Sequence, residues 1–164
     1  EEFTVIAQIE KGMHSIDYQT VQTNVTDAPL KFPAYRYGGG IAYRSPLNWD
    51  KTNSDYLTSE GKTRLNGHTT RGQWCAMWGP TEKGDATLAI LCHPGNHDAP
   101  QRMRIWPPSS HNGAIFFNYV PIQEKPWSLK PGKPSTMRYR ILISDGKPEK
   151  ELLNAAWERY SKVP

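Results

Sequence analysis

The sequence predicts an all-β fold, an antiparallel β-sandwich with one C-terminal amphipathic helix. Three observations predict it. Stretches such as "FTVIAQIE" and "SIDYQTVQTNV" alternate apolar and polar residues and are rich in β-branched side chains, the period of a half-buried strand. Apolar runs end repeatedly at Gly or Pro, of which the chain has 13 and 14. Helical spacing appears once, after Asp145, where Leu152, Leu153, Ala156, Trp157 and Tyr160 fall on one stripe. The 164 residues suit a single domain spanning 1–164. With 37% hydrophobic and 22% charged residues, the chain reads as globular rather than disordered.

Each element has a local reason. The two opening stretches read as strands. "YRYGGGIAYR" reads as a strand weakened by three glycines, which suit a bulge or a close approach of backbone or ligand. "SPLNWDKTNSDYLTSEGKTRLNG" is polar and turn-rich and reads as a long surface loop, a common place for function. "GQWCAMWG" and "ATLAILC" flank "PTEKGD" and form a hairpin signal. "QRMRIWP", "GAIFFNYVPI", "WSLKPG" and "TMRYRILIS" each read as a strand ended by Pro or Gly. The helix is expected from near Pro148 to Ser161. Its proline lies near the first turn, and Glu149 and Glu151 complement the helix dipole.

Composition narrows the partners. The net charge is +4, but Lys and Arg are scattered among acids, so a nucleic-acid surface is not expected. No apolar run approaches the length of a membrane span. Cys75 and Cys92 each lie in an apolar run and are expected as buried, unlinked thiols. The chain opens on "EEFTVIAQIE", a start that suggests a processed or partial chain.

The candidate functional residues concentrate around "CHPGNHDAPQRMRIWP". His93 and His97 bracket a short turn with Asn96. An imidazole there can move a proton or hold a metal, or decorate a surface loop. Arg104 and Trp106 share parity with Arg102, so in a strand all three face one side. A guanidinium beside an indole suits a carboxylate or a sugar ring; the rival reading is a polar outer face. Arg44 ends the glycine-rich strand. Glu60 in "LTSEGKTR" is either a general base or an exposed turn residue. Asn118 and Gln123 in "FFNYVPIQ" can hydrogen-bond hydroxyl groups. Trp74 and Trp78 share a strand face and read as core. His14, His68 and His111 are too dispersed to complete a zinc motif, so no metal and no other cofactor is expected. Six Trp exceed the needs of a small core, and some are expected to face a ligand or another domain. The sequence has no GxSxG, P-loop or HExxH motif, and "YGGG" lacks dinucleotide-loop spacing.

"YRYGGGIAYR", "LTSEGKTR", "WCAMWG", "HPGNHDAPQRMRIWP", "FFNYVPIQEKPWSLKPG" and "MRYRILISDG", in that order, resemble the bacterial PmoA-like family, labelled "methane oxygenase". The likeness runs from about Tyr35 onward. Where family members typically carry a His before a proline, this chain has Ala99 before Pro100. The resemblance implies a galactose-mutarotase-like supersandwich of which this chain is the C-terminal part, preceded by a second β-rich half. It further implies a carbohydrate-related protein, either a sugar-acting enzyme of epimerase, lyase or hydrolase type or a part of one. The alternatives are a non-catalytic carbohydrate-binding or structural domain and, third, a metal-dependent oxygenase. In the first reading His93 or Glu60 transfers a proton, while Arg44, Asn96, His97, Arg104, Trp106 and Gln123 bind the substrate in one concave site. The expected partners are a carbohydrate or uronate ligand and the missing half or another subunit. A periplasmic or secreted location is expected.

Overall fold

A computed structural model describes residues 1–10 and 12–164. Its elements in chain order are β1 (Glu2–Glu10), β2 (Met13–Thr23), β3 (Leu30–Phe32), β4 (Ala42–Arg44), β5 (Asp55–Thr58), β6 (Trp74–Thr81), β7 (Gly84–Cys92), β8 (Arg102–Ile105), β9 (Phe116–Val120), β10 (Trp127–Leu129), β11 (Pro134–Asp145) and the helix α1 (Lys150–Tyr160). A short 3₁₀ turn, His111–Gly113, lies between β8 and β9. The strands form three antiparallel sheets: a six-stranded sheet in the order β1-β2-β11-β7-β6-β5, a three-stranded sheet β4-β9-β8, and the pair β10-β3.

The period of two stacks these pieces into layers. One parity of the large sheet, with Cys75, Met77, Ile90, Cys92, Met137 and Tyr139, packs on Met103, Ile105, Phe117 and Tyr119 of the small sheet. The other parity, with Trp74, Ala76, Ala89, Leu91 and Leu142, packs on Leu153, Ala156 and Tyr160 of α1. The protein is thus an all-β sandwich with its helix laid on the outside of the larger sheet. Both cysteines are free and buried in the inter-sheet core. Burial pushes the Cys92 thiol up to about 11 and Cys75 well above its ordinary range, so neither is a reactive thiolate.

Two segments differ from expectation. The long polar segment contains a strand, β5. Its Tyr56 is 1% exposed and its hydroxyl bridges the backbone of Phe116 in the small sheet. Polar neighbours hide a four-residue strand whose period covers only two buried positions, Tyr56 and Thr58. The glycine-rich segment is a strand only at its end, β4. Gly39 and Gly40 turn at positive φ, and a Cβ on Gly40 would collide with the Tyr119 carbonyl oxygen.

The small sheet covers only part of the large one. The inner face continues through Ile141 and Tyr18, which are partly buried, to β1, where Phe3 and Val5 are 58% and 59% exposed. Ile6 and Ile9 are exposed as well, and among the described residues no strand pairs with the outer edge of β1. An apolar, unpaired edge of this length is a pairing surface.

Candidate functional site

The outer face of the three-stranded sheet gathers aromatic rings and guanidinium groups. Strand alternation puts Met103 and Ile105 of β8 and Phe117 and Tyr119 of β9 inward, so Arg104, Phe116 and Asn118 point outward. Arg44 pairs across from Phe116 and shares that face. Its guanidinium carbon lies 5.0 Å from the Trp106 ring centre and 5.3 Å from that of Phe116. Trp106 is 7% exposed, stacks on His111 at 4.2 Å and lies tilted against Phe116 at 4.9 Å. Arg104 lies 4.5 Å over the Tyr37 ring, and Arg36 lies 5.5 Å from the same ring. Arg104 and Trp106, grouped by parity in the sequence, and Arg44, singled out at the end of the glycine-rich strand, therefore come together.

Tyr37 and His68 join them. Burial pushes the Tyr37 phenol up, but Arg104 and Trp106 beside it and the charges of Arg104 and Arg36 together bring it below its ordinary value. His68 lies with Nε2 3.3 Å from Arg104 Nη1 and Nδ1 3.3 Å from the Ile105 amide nitrogen. Burial, with the Arg104 charge second, pushes the His68 pKa down, so its imidazole is neutral at pH 7. Neither residue is recoverable from spacing. Tyr37 lies outside any strand and His68 is a lone histidine in a turn. The parity of Tyr35 and Tyr37 in "YRY" is the one local signal, and it does not say which sheet they lie against.

Arg36, Arg44 and Arg104 form no ion pair among the described residues, whereas Arg71 pairs with Asp98 at 3.0 Å, Arg102 with Glu124 at 2.5 Å and Arg140 with Asp17 at 2.6 Å. The Arg104 Nε atom is buried and has no hydrogen-bond partner. A buried charged donor without an acceptor is costly unless something else supplies one.

The remaining expected residues lie elsewhere. His93 is the main correction. It follows Cys92, which faces the inter-sheet core, so alternation turns it to the helix side. There it is 6% exposed and edge-on to Tyr160, 5.4 Å between centres. Its Nδ1 accepts the Gly95 amide, so Nε2 carries the proton and donates to the Val163 carbonyl at 2.9 Å. Burial is the main reason its pKa is lowered. His93 thus holds the C-terminal tail, with two sheets between it and Arg104. Asn96 is also a structural residue. Its Oδ1 accepts the Arg138 amide at 2.7 Å and its Nδ2 donates to the Arg138 carbonyl at 2.8 Å. The side chain continues the β7–β11 ladder one residue beyond Cys92. Replacing Asn96 by Ala leaves the Arg138 amide without its partner and its carbonyl with only the His93 amide at 3.3 Å, and is expected to cost about 1–3 kcal/mol in urea unfolding; a change within error would mean that water serves Arg138 equally well.

His97 stacks on Trp127 at 4.5 Å, with ring planes 14° apart, and borders an open concavity of about 410 Å³ with Lys130 and Lys133. Glu60 is exposed and accepts a hydrogen bond from Ser59. Asn118 is buried and donates to the carbonyls of Gly39, Ile41 and Tyr119, pinning the glycine-rich segment. Gln123 follows β9, and both polar atoms of its amide are buried without a partner. The single concave site expected from the sequence therefore divides among separate locations. Among the described residues no group of three or more His, Cys, Asp or Glu is placed to hold a metal ion, and no helix is long and apolar enough to cross a membrane.

A family model described as "Family of unknown function (DUF6807)" matches residues 1–158. No curated protein matches the sequence. Among solved structures, one titled as a polysaccharide lyase is similar with a TM-score of 0.40 and 15% identity over 88% of this chain. The chain spans 20% of that structure's length.

Proposed function

Because the chain belongs to the DUF6807 family, whose function is unknown, we propose its function from the chemistry of the site itself: the outer face of the three-stranded sheet binds an anionic, polyhydroxylated ring, a uronate-bearing carbohydrate. One observation carries this reading. Arg44 and Arg104, with Arg36 beside them, lie over Trp106, Phe116 and Tyr37 with no carboxylate partner among the described residues, and a buried N–H of Arg104 has no acceptor. Guanidinium groups placed over rings keep N–H groups available to grip a carboxylate in fork geometry. The rings hold them in place and lower the entropy lost on binding. Tyr37 and Phe116, both partly exposed, offer apolar surface beside that charge for the C–H face of a pyranose.

Calorimetry with uronate oligomers tests it. The protein should bind acidic oligomers and not their carboxyl-reduced, neutral counterparts. Affinity should fall with salt. Arg104→Ala and Arg44→Ala should each weaken binding by about tenfold or more, the worth of one charge-assisted hydrogen bond. Equal affinity for acidic and neutral oligomers, or full affinity in the Arg44→Ala/Arg104→Ala double variant, overturns the reading.

A further inference from the structure

We propose that the protein has a second binding site for an acidic carbohydrate chain, in the concavity beside Trp127, separate from the outer face of the three-stranded sheet. The two share no residue. Three features lead there.

The first is a ring platform fixed from the core. Trp127 lies directly across from Phe32 in the β10–β3 pair and stacks on it, with 5.7 Å between centres and 29° between planes. His97 stacks on the same indole at 4.5 Å. The His97 carbonyl accepts the Gln101 side-chain amide at 2.9 Å. Gln101 is fully buried, and its Oε1 accepts the Tyr139 hydroxyl at 2.7 Å. The platform is therefore tied to the inter-sheet core before a ligand arrives, which lowers the entropy lost on binding. Burial lowers the His97 pKa, so the ring is neutral at pH 7 and offers an apolar face with a polar edge. Both His97 and Trp127 are partly exposed. Trp49, Trp74 and Trp157 donate their indole N–H groups to protein acceptors, whereas the Trp127 N–H has none among the described residues.

The second is charge. The concavity, about 410 Å³, is lined by Lys130 and Lys133 and by no carboxylate among the described residues. Both lysines are exposed and neither forms an ion pair there. Asp98, the acid next to His97 in the chain, is held by Arg71 at 3.0 Å. A concave surface with positive charge and no counter-charge attracts an anion.

The third is hydroxyl chemistry. Ser128, Ser135 and Thr136 also line the concavity, and among the described residues their hydroxyls make no hydrogen bond to the protein. A hydroxyl both donates and accepts, as a sugar hydroxyl does. Ring surface, hydroxyl groups and ammonium groups match the C–H face, the hydroxyls and the carboxylate of a uronate. A single-stranded nucleic acid would use the rings and the ammonium groups but has little need of the hydroxyls. Trp127 also walls a smaller pocket of about 170 Å³ with Tyr18 and Thr20 of β2. Two cavities meet at one indole, which suits a chain of rings rather than a single one.

Calorimetry on the whole chain, with a galacturonate tetramer as probe, tests the proposal. Two tetramers should bind. Arg44→Ala/Arg104→Ala should weaken one site and Lys130→Ala/Lys133→Ala the other, each by about tenfold or more. Lys130 and Lys133 are exposed, so their replacement leaves the fold intact. Trp127→Ala, placed in the Arg44→Ala/Arg104→Ala background, should weaken the remaining site by about tenfold or more. Trp127 packs partly on the core, and if its truncation loosens the fold the lysine variant carries the test alone. A single tetramer, lost in the arginine variant and kept in the lysine variant, overturns this proposal and leaves the outer-face reading standing. A single tetramer lost only in the lysine variant does the reverse. No binding, or binding that neither variant weakens, overturns both. Equal occupancy of the remaining site by the carboxyl-reduced tetramer, or tighter binding there of an oligothymidylate, also overturns this proposal.

Discussion

Trp74→Ala is expected to cost about 3–5 kcal/mol, the range for truncating a large aromatic side chain in a core. Trp74 is fully buried on the helix side of the large sheet, among Leu91, Leu153, Ala156 and Tyr160. Its indole N–H donates to Asn154 Oδ1 at 2.9 Å, so one side chain both fills the layer and fixes the position of α1 on it. The truncation leaves a cavity and an unpaired amide oxygen. Asn154→Ala should cost about 1 kcal/mol, the worth of a single neutral hydrogen bond. Urea unfolding of the two single variants and the double variant separates the terms. If Trp74→Ala costs less than Asn154→Ala, the helix does not depend on the indole for its place.

Alternation made the layers legible. "WCAMW" puts Cys75 and Met77 on one face and Trp74 and Trp78 on the other, and that is how the sheet uses them; Trp78 differs only in being partly exposed under Lys147. Helical spacing after Asp145 gave α1 to within two residues of each expected end. It also placed Leu152 on the buried stripe, where the structure leaves it 41% exposed, because the large sheet meets a narrower face of α1 than the stripe allowed. The same parity grouped Arg104 with Trp106, and the register of β4 against β9 added Arg44. His93 and Asn96 were not legible in this way. Their residue types signal chemistry, but whether they face a ligand depends on which layer lies above the end of β7, and local sequence carries no information about that. Tyr37 and His68 lie in irregular segments, where side-chain direction is set by hydrogen bonds to distant residues such as Ile105 and Arg104.

Arg64 carries the second large effect, and it changes the reading of the long polar segment. "LTSEGKTR" belongs to the segment that reads as a long surface loop, yet the Arg64 side chain is 4% exposed. Its guanidinium donates to the Ser54 carbonyl at 3.0 Å, to Ser54 Oγ at 2.9 Å and to the Gly113 carbonyl, and it packs over the Tyr56 ring at 5.3 Å. One side chain thus ties the β5 segment to the 3₁₀ turn after Trp106, the turn whose His111 stacks on that indole. Hydrogen bonds to a charged group contribute about 1.5–3 kcal/mol each, and partial replacement by water keeps the sum below three full bonds. Arg64→Ala is therefore expected to destabilise the protein by about 3 kcal/mol, measured by urea unfolding. Arg64→Lys should recover only part of this, since an ammonium cannot span Ser54 and Gly113 in fork geometry. The site should feel it too. With the His111 turn released, Trp106 loses one of its stacking partners and uronate affinity should drop although Arg64 itself lies outside the cationic face. A stable Arg64→Ala protein with unchanged unfolding and unchanged affinity would mean that Tyr56 and the β5–β6 ladder hold the segment without the guanidinium.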